Sequence, residues 1–144
     1  MTTQSSTAAA RRSPSRSRPR LLRAALLTDA VVSGLNALAY LAAATVLADL
    51  FDADTGTLRW LGAFLVLYAV AVWFVGSRPA ISRLGAGLVI AANGAWVLAS
   101  IAAAVTQWGD PSDVGTAWIL VQAAAVAVLG VAEFAGLRAG RRGV

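Results

Sequence analysis

The sequence predicts an all-α fold, a four-helix transmembrane bundle that runs up-down-up-down with both termini in the cytoplasm. The first observation behind this prediction is composition, since 58% of the 144 residues are hydrophobic and only 13% are charged, unlike an average globular chain. The second is the distribution of charges, which leaves four long stretches almost uncharged. The third is the sign of the charge in the connecting loops, which predicts the orientation.

The four uncharged stretches are long enough to cross a bilayer. A helix rises about 1.5 Å per residue and the hydrocarbon core is about 30 Å thick, so roughly 20 apolar residues make one crossing. We predict spans at about residues 24–48, 59–77, 84–107 and 115–137, within one transmembrane domain at 21–138. A cleaved secretory signal is the alternative for the first span, but its apolar run exceeds the roughly 7 to 15 residues of such signals.

The arginines predict which side of the membrane each loop faces. All 12 basic residues are arginines, and 11 of them precede the first span, lie between the second and third, or follow the fourth. The other two loops contain Arg59 alone, together with five aspartates. Because basic residues accumulate on the cytoplasmic side, we expect a multi-pass protein of the inner (plasma) membrane with both termini inside the cell.

The two ends of the chain differ from the apolar domain. Residues 1–20 are rich in Ser, Thr, Ala, Pro and Arg and cannot bury enough surface to offset the entropy of ordering, which predicts a disordered cytoplasmic tail. Residues 139–144 form a short basic tail. The N-terminal arginines can bind anionic lipid headgroups, at about 1 kcal/mol each, or serve only to set the topology. No aromatic residue alternates with them to stack on bases, so nucleic acid is not an expected partner.

Missing residue types argue against most chemistry. The chain contains neither cysteine nor histidine, which removes the usual ligands of zinc and haem, the thiolate nucleophile and the imidazole base. No glycine-rich loop has the strand context that a phosphate site needs. We therefore expect no enzymatic activity, no metal site and no cofactor.

Polar side chains inside the spans recur at steps of three, four or eleven residues, which return to the same face of a helix. They are Asp29, Ser33, Asn36 and Tyr40 in the first span, Tyr68 in the second, Asn93, Trp96 and Ser100 in the third, and Gln122 and Glu133 in the fourth. Lipid would leave such groups without hydrogen-bond partners, so they are predicted to face inward. These residues, called the polar seam below, are the candidate ligand site.

Counting along each helix predicts the depth of the seam residues. Asp29 and Glu133 come out roughly 7 to 9 Å inside the cytoplasmic boundary, and Asn36 and Asn93 nearer the midplane. The two carboxyl groups can be protonated or share a proton, can pair with nearby arginines such as Arg23 and Arg138, or can reach toward the headgroups. The amides and hydroxyls can equally be interhelical hydrogen bonds, at about 0.6 kcal/mol each.

Two functions agree with these features. The first is an accessory or structural subunit without catalysis, which associates with itself or with a larger membrane protein. The alternative is a small proton-coupled transporter or ligand-binding membrane protein that uses Asp29 and Glu133. A cavity of a few hundred Å³ along the seam would favour a ligand site, and closed packing would favour assembly.

Four short segments carry a resemblance to known proteins. They are NGAWVLAS at 93–100, TAW at 116–118, QA at 122–123 and EFAGLR at 133–138. With them, the chain between about residues 21 and 140 resembles a group of small four-span bacterial integral membrane proteins whose function is not established. The resemblance implies a four-helix membrane protein and no particular activity.

Overall fold

A computed structural model describes residues 18–139 of the chain. This part is helical, with five α-helices: α1 (Arg18–Ala42), α2 (Ala44–Phe51), α3 (Thr55–Ser77), α4 (Arg83–Thr106) and α5 (Asp113–Ala139). No strand occurs between residues 18 and 139, so the predicted all-α class is confirmed for this range. The tail predicted to be disordered (residues 1–20) lies outside the described residues except for 18–20, and the predicted basic tail (139–144) lies outside them except for Ala139.

Four of these helices are long and apolar enough to cross a membrane. They are α3, α4, α5 and the part of α1 from Arg20, each with 23 to 27 residues and a mean hydropathy between 1.5 and 2.0. Large apolar side chains cover their outer surfaces; Leu67 is 72% exposed and Val105 is 78% exposed. Such a surface requires lipid as its solvent, and this is the architecture of a multi-pass helical membrane protein.

The first span differs from its predicted position. The sequence places it at about 24–48, whereas α1 begins at Arg18 and ends at Ala42, and the short α2 follows. The helical backbone conformation is interrupted at Ala43 (φ −113°, ψ 22°), although the amide of Ala43 still donates to Ala39 O at 2.9 Å. The 25 residues of α1 span about 37 Å, enough for one crossing. Residues 18–20, predicted to belong to the tail, extend this helix because arginine tolerates the end of a transmembrane helix.

Side-chain caps fix the starts of α3 and α4. Asp54 Oδ2 accepts a hydrogen bond from the Thr57 amide at 2.6 Å, and Ser82 Oγ accepts one from the Gly85 amide at 3.2 Å. Hydrogen bonds from the Thr57 amide and then its hydroxyl lower the pKa of Asp54 below its ordinary value. Both caps satisfy amide groups that a helix leaves free at its first turn.

Helix packing is uneven around the bundle. α1 packs chiefly on α3 and α5, and α4 packs on α5, whereas the backbones of α3 and α4 have little contact although they are consecutive. Two glycines allow α3 and α5 to approach α1 closely. A Cβ on Gly62 of α3 would meet Leu41 at 2.9 Å, and one on Gly136 of α5 would meet the Leu22 backbone at 2.9 Å. The tight α1 contacts and the loose α3–α4 contact leave space on one side of the bundle.

Candidate functional site: buried carboxyl groups beside an intramembrane cavity

Two acidic side chains meet in the apolar interior. Asp29 on α1 and Glu133 on α5 are both 0% exposed. Asn93 on α4 bridges them, because its Nδ2 donates to Asp29 Oδ2 at 3.0 Å and to Glu133 Oε2 at 3.1 Å. These two carboxyl oxygens therefore lie within about 6 Å of each other.

Two hydroxyl groups complete this site. Ser33, one turn after Asp29 on α1, donates to Asp29 Oδ1 at 3.1 Å. The hydroxyl oxygen of Tyr68 on α3 lies 2.9 Å from Asp29 Oδ2 and 2.7 Å from Asn93 Oδ1. We call Asp29, Ser33, Tyr68, Asn93 and Glu133 the carboxyl cluster. It joins all four long helices through neutral hydrogen-bonding partners.

Arg23 does not pair with the cluster. Its guanidinium donates instead to backbone carbonyls at the end of α3, at distances of 2.7 to 3.1 Å, and the acceptors are those of Gly76, Arg78 and Pro79. A cation at a helix C-terminus satisfies carbonyls that have no helical partner. The expected ion pair between Arg23 and Asp29 is therefore not formed.

Arg138 does not pair with the cluster either. Its guanidinium lies over the ring of Phe134, 5.1 Å from the centroid. Complete burial also contradicts the expectation that Asp29 and Glu133 reach toward the headgroups. The protonated or proton-sharing pair, the third expectation from the sequence, stays a prediction.

One carboxyl oxygen has no partner. Glu133 Oε1 is buried and accepts no hydrogen bond from the residues that the structure describes. Leaving a buried polar atom unsatisfied costs about 1–3 kcal/mol. A buried atom of this kind in a native site requires a physical explanation.

A second set of polar residues lies on α1 after Asp29 and on α5 before Glu133. Tyr40 Oη accepts from Gln122 Nε2 at 2.6 Å and from Trp118 Nε1 at 3.0 Å. Asn36 Nδ2 donates to Gln122 Oε1 at 2.6 Å. We call these four residues the tyrosine cluster. Trp118 was not among the predicted seam residues, although its position four residues before Gln122 puts both on one face of α5.

The clusters differ from the predicted levels of the seam. Asn93 was expected level with Asn36, but it bonds to Asp29 and Glu133, while Asn36 bonds to Gln122. Residue counting gives the height of each backbone position in an untilted helix, whereas tilt and side-chain reach decide which groups meet. Ser100 belongs to neither cluster and lines a cavity.

A cavity of about 780 Å³ lies between the four long helices and opens to their outer surface, where Leu35, Trp60 and Val121 of its wall are exposed. Polar groups of both clusters form part of its wall, namely Ser33, Tyr68 and Asn93 from the first and Asn36, Trp118 and Gln122 from the second. The remaining wall is mostly apolar and includes Trp96, which stacks on Phe64 with 6.3 Å between ring centroids. The seam therefore borders open space rather than closed packing.

A second cavity of about 370 Å³ adjoins the first. Trp96, Trp118 and Gln122 contribute to the walls of both. Its other end is lined by loop residues, among them Asp52 and Trp108. The two cavities together extend from the loops after α2 and α4 to the carboxyl cluster.

Comparison of the chain with protein-family models, with curated proteins and with solved structures finds no match. The resemblance to small four-span bacterial membrane proteins thus stays a prediction. Function has to be derived from the chemistry of the clusters and cavities.

Proposed function

We propose that this chain is a membrane protein of the bacterial inner (plasma) membrane that binds an amphipathic small molecule between its long helices and catalyses no reaction. The observation that carries the proposal is the cavity of about 780 Å³ along the polar seam. Ligand sites typically measure about 300–1,000 Å³ and combine apolar walls with a few polar groups. A bundle whose seam served only to hold helices together would have no need of this volume.

The wall chemistry favours a ligand with an apolar body and a hydrogen-bonding head. Trp60, Phe64 and Trp96 give broad apolar contact. Asn36 donates one amide hydrogen to Gln122. No group among the described residues donates a hydrogen bond to the side-chain oxygen of Asn36. A hydroxyl or amide head can therefore bind at Asn36 while the apolar part lies against the aromatic rings.

The proposal includes the alternating topology and cytoplasmic termini. Contacts between α1 and α3 support it, because Leu26 lies beside Gly76 at one end and Tyr40 beside Gly62 at the other. Leu22 beside Gly136 and Asn36 bonded to Gln122 support the same alternation for α1 and α5. With the arginines inside, the carboxyl cluster belongs to the cytoplasmic half of the bilayer.

Tryptophan quenching by a bromine-labelled long-chain alcohol tests ligand binding. Trp96 lines both cavities, whereas Trp73 lies outside them and is 52% exposed. In liposomes, the part of the quenching that is lost on Trp96→Phe should saturate, and the part that is lost on Trp73→Phe should rise in proportion to the alcohol in the bilayer. Thermal stabilisation of the unmodified chain by the same alcohol provides a second readout.

Two alanines on α4 give a matched pair for this experiment. Ala95 lines the larger cavity, and Ala91 is exposed outside it. Ala95→Phe should abolish the saturable quenching of Trp96, and Ala91→Phe should leave it unchanged. Proportional, unsaturable quenching of Trp96 would reject the proposed ligand site.

An accessory or structural subunit is the second candidate function. It is favoured by the hydrogen bonds of the carboxyl cluster, which join α1, α3, α4 and α5 without any ligand. In that case a second copy or a larger membrane protein covers the exposed apolar faces. Replacing Asp29 and Glu133 by Asn and Gln would then change the oligomeric state in mild detergent, and the alcohol would show no saturable binding.

A further inference from the structure

The carboxyl cluster has no counter-charge. Asp29 and Glu133 are completely buried, and Asp29 is bonded to Ser33, Tyr68 and Asn93, all neutral. The titratable groups that face Asp29 are Tyr68 from α3 and Glu133 from α5, whereas α4 presents only the neutral Asn93. Two bare carboxylates cannot be sustained in such surroundings, because buried charges need a partner or a bound proton.

A count of hydrogens gives the same result independently. The cluster contains five donor–acceptor contacts of 2.7 to 3.1 Å. The hydroxyls of Ser33 and Tyr68 supply one hydrogen each and the Asn93 amide supplies two, which leaves one contact without a hydrogen. That contact is at Tyr68, whose single hydrogen cannot serve both Asp29 Oδ2 and Asn93 Oδ1.

The orientation of the Asn93 amide does not remove this deficit. With the orientation described above, the Tyr68 hydrogen goes to Asn93 Oδ1 at 2.7 Å, and Asp29 Oδ2 needs its own hydrogen to bond Tyr68 Oη at 2.9 Å. If oxygen and nitrogen are exchanged, the Asn93 oxygen faces a carboxyl oxygen of Asp29 and one of Glu133, and both then need hydrogens. Either arrangement places at least one proton on the carboxyl groups.

We propose that Asp29 and Glu133 form a proton-binding site that holds one exchangeable proton, donated from Asp29 Oδ2 to the hydroxyl oxygen of Tyr68. The unpartnered, buried Glu133 Oε1 is the second position available to this proton. Proton binding forms one O–H bond on a carboxylate oxygen and neutralises one negative charge. The pair thus carries a single net charge, stabilised by the Asn93 amide.

The same residues connect the proton to the ligand cavity. Ser33, Tyr68 and Asn93 line the larger cavity, whereas Asp29 and Glu133 lie behind them. Proton exchange therefore passes through the Tyr68 hydroxyl into the cavity. This route, unlike the proton site itself, rests on the proposed function.

Infrared spectroscopy in liposomes tests the proton site. At neutral pH the native chain should show the C=O stretch of one protonated carboxyl. The double variant Asp29→Asn/Glu133→Gln should lose this band, and Asp49→Asn, which changes an exposed aspartate on α2, should retain it. Tyr68→Phe should shift the band to higher frequency, because the acceptor of the carboxyl hydrogen is lost.

Three results would overturn the proposal. One is the absence of a protonated-carboxyl band from the native chain at neutral pH. Another is a band that appears only after sodium is removed, which would make the site a sodium site. The third is a band at its native frequency in Tyr68→Phe, which would place the proton away from the Asp29–Tyr68 contact.

Deuterium exchange tests the route and separates it from ligand binding. In D₂O the carboxyl band should move to the deuterated position, and the brominated alcohol should slow this change several-fold by filling the cavity. A native band with unsaturable Trp96 quenching would support the proton site and reject the ligand site. Saturable Trp96 quenching without the carboxyl band would support the ligand site and reject the proton site. An exchange rate that bound alcohol does not change would reject the route through the cavity.

Discussion

The hydroxyl oxygen of Tyr68 lies 2.9 Å from Asp29 Oδ2 and also forms part of the wall of a cavity of about 780 Å³. One side chain thus contacts both the buried carboxyl group and the space in which a ligand would bind. Substitutions of Tyr68, of Asp29 and of the glycines at helix contacts should therefore change the stability of the fold in different ways.

Tyr68→Phe should destabilise the fold. The substitution keeps the ring and deletes the hydroxyl, which leaves Asn93 Oδ1 without its 2.7 Å partner. An unsatisfied buried acceptor costs about 1–3 kcal/mol, measurable by unfolding in mixed detergent micelles. Trp73→Phe, a lipid-facing change on the same helix, should stay within about 0.5 kcal/mol of the native chain; equal stability of the two variants would contradict the structural role of the hydroxyl.

Substitutions at Asp29 should separate a neutral carboxyl from a charged one. Asn matches the shape of a protonated Asp, but neither its nitrogen nor its oxygen can both donate to Tyr68 and accept from Asn93, so Asp29→Asn should cost about one hydrogen bond, about 0.5–1.5 kcal/mol. Asp29→Leu should cost more, because Ser33 Oγ and Asn93 Nδ2 lose their acceptor. The same micelle unfolding measures both, and a large loss in Asp29→Asn equal to that in Asp29→Leu would argue for an ionised Asp29.

Two glycines should respond oppositely to a larger side chain. A Cβ on Gly136 would meet the Leu22 backbone at 2.9 Å, whereas one on Gly94 has nothing within 4 Å. Gly136→Ala should therefore force α1 and α5 apart at a cost of about 1–3 kcal/mol. Gly94→Ala should stabilise its helix by about 0.5–1 kcal/mol. Thermal unfolding compares them, and an unaffected Gly136→Ala would contradict the α1–α5 contact.

The start of α3 should depend on pH and the start of α4 should not. Hydrogen bonds donated by Thr57 lower the pKa of Asp54 below its usual 3.8. The Asp54 cap of α3 is therefore complete above pH 3.8 and is lost as the pH falls through the lowered pKa. Hydrogen exchange at the Thr57 amide should then lose protection on acidification, relative to intrinsic exchange. The Gly85 amide, bonded to the neutral Ser82 hydroxyl, is the control; parallel loss at both amides would show general unfolding instead.

Orientation can be measured cleanly because the chain contains no cysteine. Ala80→Cys lies in the loop between α3 and α4, and Asp49→Cys lies on the exposed face of α2. In oriented vesicles an impermeant maleimide should label position 80 only from the cytoplasmic side and position 49 only from the outside. The reverse pattern would invert the proposed topology.

The four long helices and their inward polar residues could be predicted from the sequence for clear physical reasons. Lipid tolerates few charges, so the lengths of the uncharged stretches indicate the crossings, and polar groups such as Asn93 must find partners inside. The interruption between α1 and α2 at Ala43 could not be predicted, because neither Pro nor Gly marks it. The partners of Asn93 and the role of Trp118 depend on helix tilt and side-chain reach, which residue spacing does not encode.

An experimental structure of the chain in a lipid bilayer tests the central claim most directly. We expect an open cavity between Tyr68 and Trp118, occupied by an elongated amphipathic molecule whose polar end lies near Asn36. α3 and α4 packed closely against each other, with the aromatic rings filling the space between them, would contradict the ligand site.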